Sequence, residues 1–329
     1  MKFWLPHTVG NSGSDVSIHQ LADCLKRLGH EAEVTSYPHF YQYCPHLLKS
    51  KAAPANTDCV IGNSWNAFAF KRAGIPLLTV ERLFVLDPEY SKYKSLAQKI
   101  FHNTLLKRWL YKSYTESDVN IALSQNSADA LTSYFPDIKP NVILNAVNTQ
   151  FFAPAAKETK NATEFRLLYV GNISKRKGCD MLPAILDGTS ESVHLYYTAD
   201  RDPSKTISHS RAHCLGRLTL DQVKREYQKA DATILPSRLE GLPRAVMESI
   251  SCGTPVISSS ASSLPEIVKE NVSGIPCETD DPLSYATAIN KLANDASFTN
   301  MLEQNCRAFA LEYLDLDKMV QQYVDLVSS

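Results

Sequence analysis

Residues 231–257, DATILPSRLEGLPRAVMESISCGTPVI, decide the fold. A buried strand ends at Pro236, a loop carries Ser237 to Leu242, and Pro243 suits the first turn of a helix, where its missing N–H is no loss. The helix runs through Ala245, Val246 and Ile250 and ends near Cys252-Gly253, and Pro255–Ser258 reads as the next strand. The helix N-terminus turns N–H groups and a positive dipole end toward the loop, a natural anion site. Glu240 lies in the loop and Glu248 about a turn and a half into the helix, so two carboxylates can line one ligand at different depths.

Upstream, residues 165–178, FRLLYVGNISKRKG, repeat the theme. A strand over Leu167–Val170 runs into Gly171 and Asn172, and then Lys175-Arg176-Lys177-Gly178 precede the next helix. Three cations at the carboxyl end of a strand suit a diphosphate. A solvated basic turn is the better explanation of the triplet alone, and a second phosphate-friendly loop in the same half shifts the balance toward a diphosphate.

Further out, short apolar runs alternate with amphipathic ones. Lys2–Leu5 is strand-like, a polar loop spans His7 to Asp15, and a helix from about Val16 to Leu28 places Ile18, Leu21, Ala22, Leu25 and Leu28 on one face before Gly29 stops it. Glu31–Thr35, Cys59–Gly62, Leu77–Val80, Val119–Leu123 and Val142–Leu144 read as strands. A second series follows: Phe165–Val170, Val193–Thr198, Thr233–Pro236 and Pro255–Ser258. This alternation is the mark of mostly parallel sheets covered on both faces. Residues 145–163 interrupt it, which predicts two α/β domains, 1–150 and 151–329. A last helical pattern, Asp315 to Val327, is placed on either half and can cross back to the first. Several of the few glycines, Gly10, Gly13, Gly171, Gly178 and Gly241, follow strands, on the edge where open α/β sheets bind ligands.

Composition removes other classes. The chain has 329 residues, 34 Lys+Arg against 35 Asp+Glu, and a formal charge of −1, so no global basic field points to nucleic acid. Eight cysteines stand 15 or more residues apart, without metal-ligand spacing, and read as reduced thiols in a cytosolic chain. No Asp-x-Asp stands at a strand end and no divalent metal is called for. No apolar run approaches the ~18 residues that cross a bilayer, and the start, Met1 to Pro6, is too short for a signal peptide. Asn161-Ala162-Thr163 and Asn271-Val272-Ser273 match the glycosylation sequon at near-chance frequency.

The spacing Glu240-(seven residues)-Glu248, inside EGLPRAVMES, resembles the signature of family 4 glycosyltransferases of the GT-B fold, which are retaining enzymes with two Rossmann-like domains facing across a cleft. GNSGSD at 10–15, NAVNTQFFAP at 145–154, VGNISKRKG at 170–178, LPSRLEG at 235–241, CGTPVI at 252–257 and LPEIV at 264–268 resemble its further motifs in the expected order. The likeness covers nearly the whole second domain and is thinner in the first.

The resemblance implies specific roles. Glu248 hydrogen-bonds the ribose of a nucleotide-sugar and Glu240 the sugar hydroxyls. The N–H groups of Gly241 and Leu242 meet the sugar or diphosphate, while Pro243 has none to give. Lys177 lies on the diphosphate and stabilises the departing nucleotide. Gly13 and Ser14 bring backbone to the phosphates from the facing domain. The implied donor is a UDP-sugar, with a GDP-sugar as alternative, and no cofactor. The implied acceptor is a glycan, a lipid-linked molecule or a small molecule, in cell-envelope polysaccharide synthesis. Two departures stand out: Asn172 where the family often has Arg, with Arg176 or Lys175 as a weak substitute, and Glu81 where it often has His. Glu81 either orients an acceptor hydroxyl, pairs with Arg82 or is structural.

Residues 92–115, KYKSLAQKIFHNTLLKRWLYKSYT, carry six Lys/Arg and no acid, with Leu96, Ile100, Phe101, Leu105, Trp109 and Leu110 near helical spacing. Two readings compete: a core helix with a basic back, and a helix lying on an anionic membrane at the inner face of the cytoplasm's boundary. The aromatic stretch Tyr37 to Tyr43 is a packed loop or a sugar-stacking one. His7, His19, His39 and His46 are scattered and receive no role. Two other functions remain, a sugar-nucleotide epimerase on the same frame and a scaffold that binds the donor without turnover. A nicotinamide dehydrogenase is rejected: Gly10 to Gly13 is not G-x-G-x-x-G, and the second strand closes on Thr35-Ser36 without an acid.

Overall fold

A computed structural model describes residues 1–10, 13–155 and 164–328, without the side chain of Ser14. Asn11-Ser12 of the glycine loop and the sequon at 161–163 lie outside the described residues. Packing divides the chain into two units: Met1–Asn145 with Leu316–Ser329, and Ala146–Asp315. The chain therefore passes from one unit to the other after Asn145 and returns after Asp315.

The first unit is built on β1 (Lys2–Thr8), α1 (Gly13–Arg27), β2 (Glu31–Tyr37), β3 (Cys59–Asn63), β4 (Leu77–Glu81), α2 (Leu96–Phe101), α3 (Lys107–Glu116), β5 (Val119–Ala122), α4 (Gln125–Tyr134) and β6 (Asn141–Val142). Its six parallel strands stand in the order β2-β1-β3-β4-β5-β6. Phe3, Trp4 and Leu5 of β1, Val60 and Ile61 of β3, and Leu77 and Leu78 of β4 are all buried. Runs without polar alternation are what a parallel sheet covered on both faces requires. Helix α1 buries Ile18, Leu21, Ala22 and Leu25, the face its periodicity marks out.

The second unit contains β7 (Phe165–Tyr169), α5 (Leu182–Asp187), β8 (Val193–Tyr197), β9 (Ala212–Cys214), α6 (Leu220–Lys229), β10 (Ala232–Leu235), α7 (Arg244–Ser251), β11 (Val256–Ser259), α8 (Leu264–Ile267), β12 (Gly274–Cys277), α9 (Pro282–Asn294) and α10 (Ala296–Tyr313). The parallel order is β12-β11-β10-β7-β8-β9. That is the Rossmann order, which reverses direction between its first and fourth strands, here β7 and β10. Loops leaving the carboxyl ends of two such strands diverge and open a crevice. The two loops singled out in the sequence, after β7 and after β10, therefore flank the switch point.

Helix α11 (Leu316–Ser328) completes the first unit. It buries Leu316, Met319, Val320, Tyr323 and Val324. The Cys24 thiol of α1 donates to Asp317 at 3.0 Å, and Arg27 pairs with the same carboxylate.

Four elements differ from the sequence reading. The edge strands β9 and β12 are only three and four residues long, too short to carry a pattern. Pro243 is the residue before α7 rather than in its first turn, with an extended ψ of 125°. Residues 92–115 are not one helix: α2 and α3 are joined by a π-helical turn over residues 102–106. An extra residue in the turn rotates the faces apart, so Leu106, Trp109, Leu110 and Tyr114 enter the core while Leu96, Ile100 and Leu105 stay exposed.

Edge strand β12 depends on Gly274. A Cβ there would stand 1.8 Å from the Val256 carbonyl oxygen, which only a shift of the β11–β12 pair relieves. Gly274→Ala is expected to lower the unfolding free energy by about 1–3 kcal/mol in urea titration. An unchanged midpoint would mean that the two strands are not this close.

Candidate functional site

The loop after β10 is held from below. Ser237 donates to Glu240 Oε1 at 2.6 Å. The Glu240 carbonyl accepts from Ser262 at 2.6 Å and Ser263 at 3.1 Å, both following β11. Glu240 is buried, and Lys177 Nζ lies 2.5 Å and Arg176 Nη1 3.4 Å from its Oε1. Burial alone would push this carboxyl up, but Lys177, Arg176 and the Ser237 hydroxyl outweigh it and hold it below the ordinary carboxylate value.

The loop after β7 is clamped onto the first. The Arg238 N–H donates to the Arg176 carbonyl at 2.8 Å, and the Arg176 guanidinium returns a bond to the Leu239 carbonyl. Gly178, at φ +70°, lies so close to the Pro236 carbonyl that a Cβ would come within 1.9 Å of its oxygen. Arg238 closes the far side with a two-pronged pair to Asp180, at 2.7 and 3.0 Å, and a bond to Asp280. Asn172 is exposed, and its carbonyl accepts from the Tyr169 hydroxyl at 2.7 Å. Asp200, after β8, receives the Ile173 N–H.

Helix α7 starts at Arg244, after Pro243, whose side chain makes no capping bond, and directly follows the loop of Gly241 and Leu242, which are buried. Glu248 is buried one turn further in. Its Oε1 accepts from Arg244 Nη2 at 2.9 Å and its Oε2 from the Tyr227 hydroxyl at 3.3 Å. Here burial wins over both partners and the carboxyl is raised.

Lys177, Arg176, Asn172, Glu240, Gly241, Leu242 and Glu248 thus belong to one switch point of the second unit. Gly13, Ser14 and Glu81 belong to the first unit. Gly13 opens α1 after β1, at that sheet's own reversal between β1 and β3, and the Ser14 side chain is outside the described residues. Glu81 ends β4, almost wholly buried, accepting from the Tyr114 hydroxyl and, at 2.9 Å, the Leu83 N–H. Burial raises its pKa against these bonds. Arg238, Arg244, Tyr227 and Asp200 were missed. Arg244 had a readable signal, since it stands four residues before Glu248 on one helix; the other three reach the site from separate elements.

Residues 164–295 match the family profile of the glycosyl transferases group 1. An uncharacterised glycosyltransferase of Methanocaldococcus jannaschii is 26% identical over 238 residues, 66% of this chain and 61% of that relative. The chain thus spans about three-fifths of that relative's length. Sucrose-phosphate synthase of Thermosynechococcus elongatus has a similar structure, with TM-score 0.84 and 17% identity over 99% of this chain and 98% of that one. The HepE protein of Anabaena, solved with UDP and glucose, gives TM-score 0.76 and 18% identity over 100% and 99%. The chain has the GT-B fold of these structures. Among the described residues of this GT-B protein, no three His, Cys, Asp or Glu side chains gather to hold a metal ion.

The low pKa of Glu240 has a stability consequence. Its ionised form is favoured by folding, so its contribution is present above the ordinary value of 4.5 and is lost as pH falls through the lower folded value. Glu240→Gln is expected to be less stable than wild type at neutral pH, with the difference shrinking steadily below pH 4.5. Denaturation midpoints across that range test it, and a difference independent of pH would show that the ion pairs do not stabilise the loop.

Proposed function

We propose that the protein transfers a sugar from a nucleoside-diphosphate sugar to an acceptor, with retention of anomeric configuration. The observation that carries this is the switch point of the second unit, where a cationic loop and the start of helix α7 accompany two buried carboxylates with opposite protonation tendencies. The group 1 match over the same residues supports it. In this reading Glu248 accepts from the ribose hydroxyls. The N–H groups at the start of α7 and around Gly241 and Leu242 meet the diphosphate, and Arg176 lends further charge. Lys177 lies between Glu240 and the phosphates, and Glu240 holds the sugar hydroxyls. Loss of the nucleotide diphosphate is the charge-separating step, and a fixed cation with fixed dipoles stabilises it without reorganising. Gly13 and Ser14 are proposed as backbone contacts to the phosphates. Glu81, bonded to Tyr114 within the first unit, is proposed to shape the acceptor side rather than to touch a hydroxyl. A UDP-sugar is the favoured donor, supported by the UDP in the HepE structure.

The acceptor is proposed to be lipid-linked, in cell-envelope polysaccharide synthesis. Leu96, Ile100 and Leu105 are exposed, and so are Phe40, Tyr43 and Leu47 of the segment after β2. The rings of Tyr43 and Phe101, 5.6 Å apart, join the two segments. Residues 38–51 and 92–115 contain no carboxylate, and Lys49, Lys51, Lys99, Lys107 and Arg108 accompany the apolar groups. In a chain of net charge −1 this asymmetry suits an anionic lipid surface. No helix among the described residues is long and apolar enough to cross a membrane. The eight free cysteines suit a reducing compartment, which supports a place at the inner face of the membrane.

Calorimetry with UDP, GDP, ADP and CMP is expected to show one nucleoside diphosphate binding best. Glu248→Ala should lose about 1.5–3 kcal/mol of that affinity, and Lys177→Ala should cut turnover on the order of 10²-fold. Absence of nucleotide binding would remove the transferase reading, and binding without a new glycoside or hydrolysis would leave a scaffold.

Vesicles of phosphatidylcholine with phosphatidylglycerol are expected to co-sediment the protein, and vesicles of phosphatidylcholine alone to leave it in solution. The double variant Leu96→Glu/Ile100→Glu should abolish sedimentation while leaving nucleotide affinity unchanged. Equal sedimentation of variant and wild type would rule out this face.

A further inference from the structure

Glu248 has to do two things that oppose each other. To accept from a ribose diol it must be ionised and aimed, yet it is buried, and burial disfavours the charged form. Each of its oxygens takes one bond from the protein, Oε1 from Arg244 Nη2 at 2.9 Å and Oε2 from the Tyr227 hydroxyl at 3.3 Å. A carboxylate offers about four lone-pair sites, so each oxygen keeps one acceptor site for a ligand. Two adjacent hydroxyls of a ribose fill that pair.

We propose that Arg244 is the positioning residue that aims Glu248 at the ribose diol and keeps it charged, and that it thereby sets the discrimination between ribonucleotides and deoxyribonucleotides. This rests on the donor-binding reading above. The charged and titratable groups around Glu248 single out Arg244. Tyr227, from α6, is buried and its pKa is raised well above the ordinary value, so it stays a hydroxyl donor. Cys252, at the end of α7, is pushed up to about 12 by burial and by Glu248, so it stays a neutral thiol. Lys224 of α6 and Arg307 of α10 act on Cys252. Arg307 is itself bonded to the carbonyls of Thr149, Phe152 and Ser251 at 2.8–3.0 Å. The cation bonded to Glu248 is Arg244, four residues earlier on the same helix, its side chain 15% exposed against 8% for the glutamate.

The rotamer follows from the same bond. A guanidinium at the first position of α7 reaches its partner one turn along, and holding Oε1 there while Tyr227 holds Oε2 fixes the plane of the carboxylate. Without it, the Tyr227 bond alone leaves the group free to rotate and to take up a proton.

The test compares wild type, Arg244→Met and Arg244→Lys in calorimetry, with whichever of UDP and GDP the wild type binds and its 2′,3′-dideoxy analogue, at about pH 6 and about pH 8.5. Methionine keeps an apolar stem on the helix, and lysine keeps the charge. Wild type should prefer the ribonucleotide about tenfold or more, two hydrogen bonds' worth, with little change between the two pH values. In Arg244→Met the preference should collapse toward about twofold at the lower pH. It should recover in part at the higher pH, because an unsupported buried carboxyl ionises only as pH rises. Arg244→Lys should restore much of the preference. An Arg244→Met protein with full discrimination at both pH values overturns the proposal. So does one that loses affinity for both ligands by the same factor at both pH values, the behaviour of a phosphate ligand or a purely structural residue. A wild type that binds neither nucleotide removes the donor reading and this proposal with it. Wild-type binding that Glu248→Ala weakens, beside an unaltered Arg244→Met, removes this proposal alone.

Discussion

The second unit is organised by the contact between Gly178 and the Pro236 carbonyl. A Cβ at 178 would fall 1.9 Å from that oxygen, so the chains leaving β7 and β10 touch backbone to backbone where strand order reverses. With no side chain between them, the loops are close enough for Arg238 N–H to bond the Arg176 carbonyl and for Lys177 to reach Glu240. A crevice at a switch point is a topological given. Turning it into a site with a fixed cation needs the loops pinned to each other, and Arg238 with Asp180 and Asp280 completes the pinning.

The pinning explains why two equally buried glutamates behave differently. Glu240 meets Lys177 and Arg176 from the neighbouring loop, and their charge outweighs its desolvation. Glu248 sits on the helix behind, out of that loop's reach, with one guanidinium and one hydroxyl, and desolvation wins. The physics is the same balance in both cases, decided by how many cations the fold delivers. A charge-stabilised carboxylate beside a cation suits a position where negative charge develops nearby. A carboxylate held charged against burial is sensitive to each bond it has.

Legibility followed the same division. The loop after β10, helix α7 and the loop after β7 are continuous in sequence, so Glu240, Glu248, Arg176 and Lys177 were readable and the fold assigns them to one place. Arg238 stands within LPSRLEG with no local sign of its role, because its partners Asp180 and Asp280 lie 58 and 42 residues away. The edge strands β9 and β12 were lost for a related reason: their pairing comes from the neighbouring strand, and three or four residues hold no period.

The first unit shows the limit of linear reading more sharply. Glu81 stands at a strand end where the resembled family often has His, which makes it a candidate, but position on a strand says nothing of depth. Tyr114, 33 residues later, takes it into the interior. The reverse holds for residues 92–115. Helical spacing put Leu96 and Trp109 on one face, and a single π turn between them sends the second inward and leaves the first outside. Phe101 meets Tyr43, so the exposed apolar surface is assembled from two segments some fifty residues apart in sequence, of which residues 92–115 alone carry a surface reading and the share of the other shows only in the fold. A binding site made of loops at one switch point can be read from motifs because backbone supplies most of it. A surface made of side chains from separate segments depends on where each helix rotates, and that is set by packing.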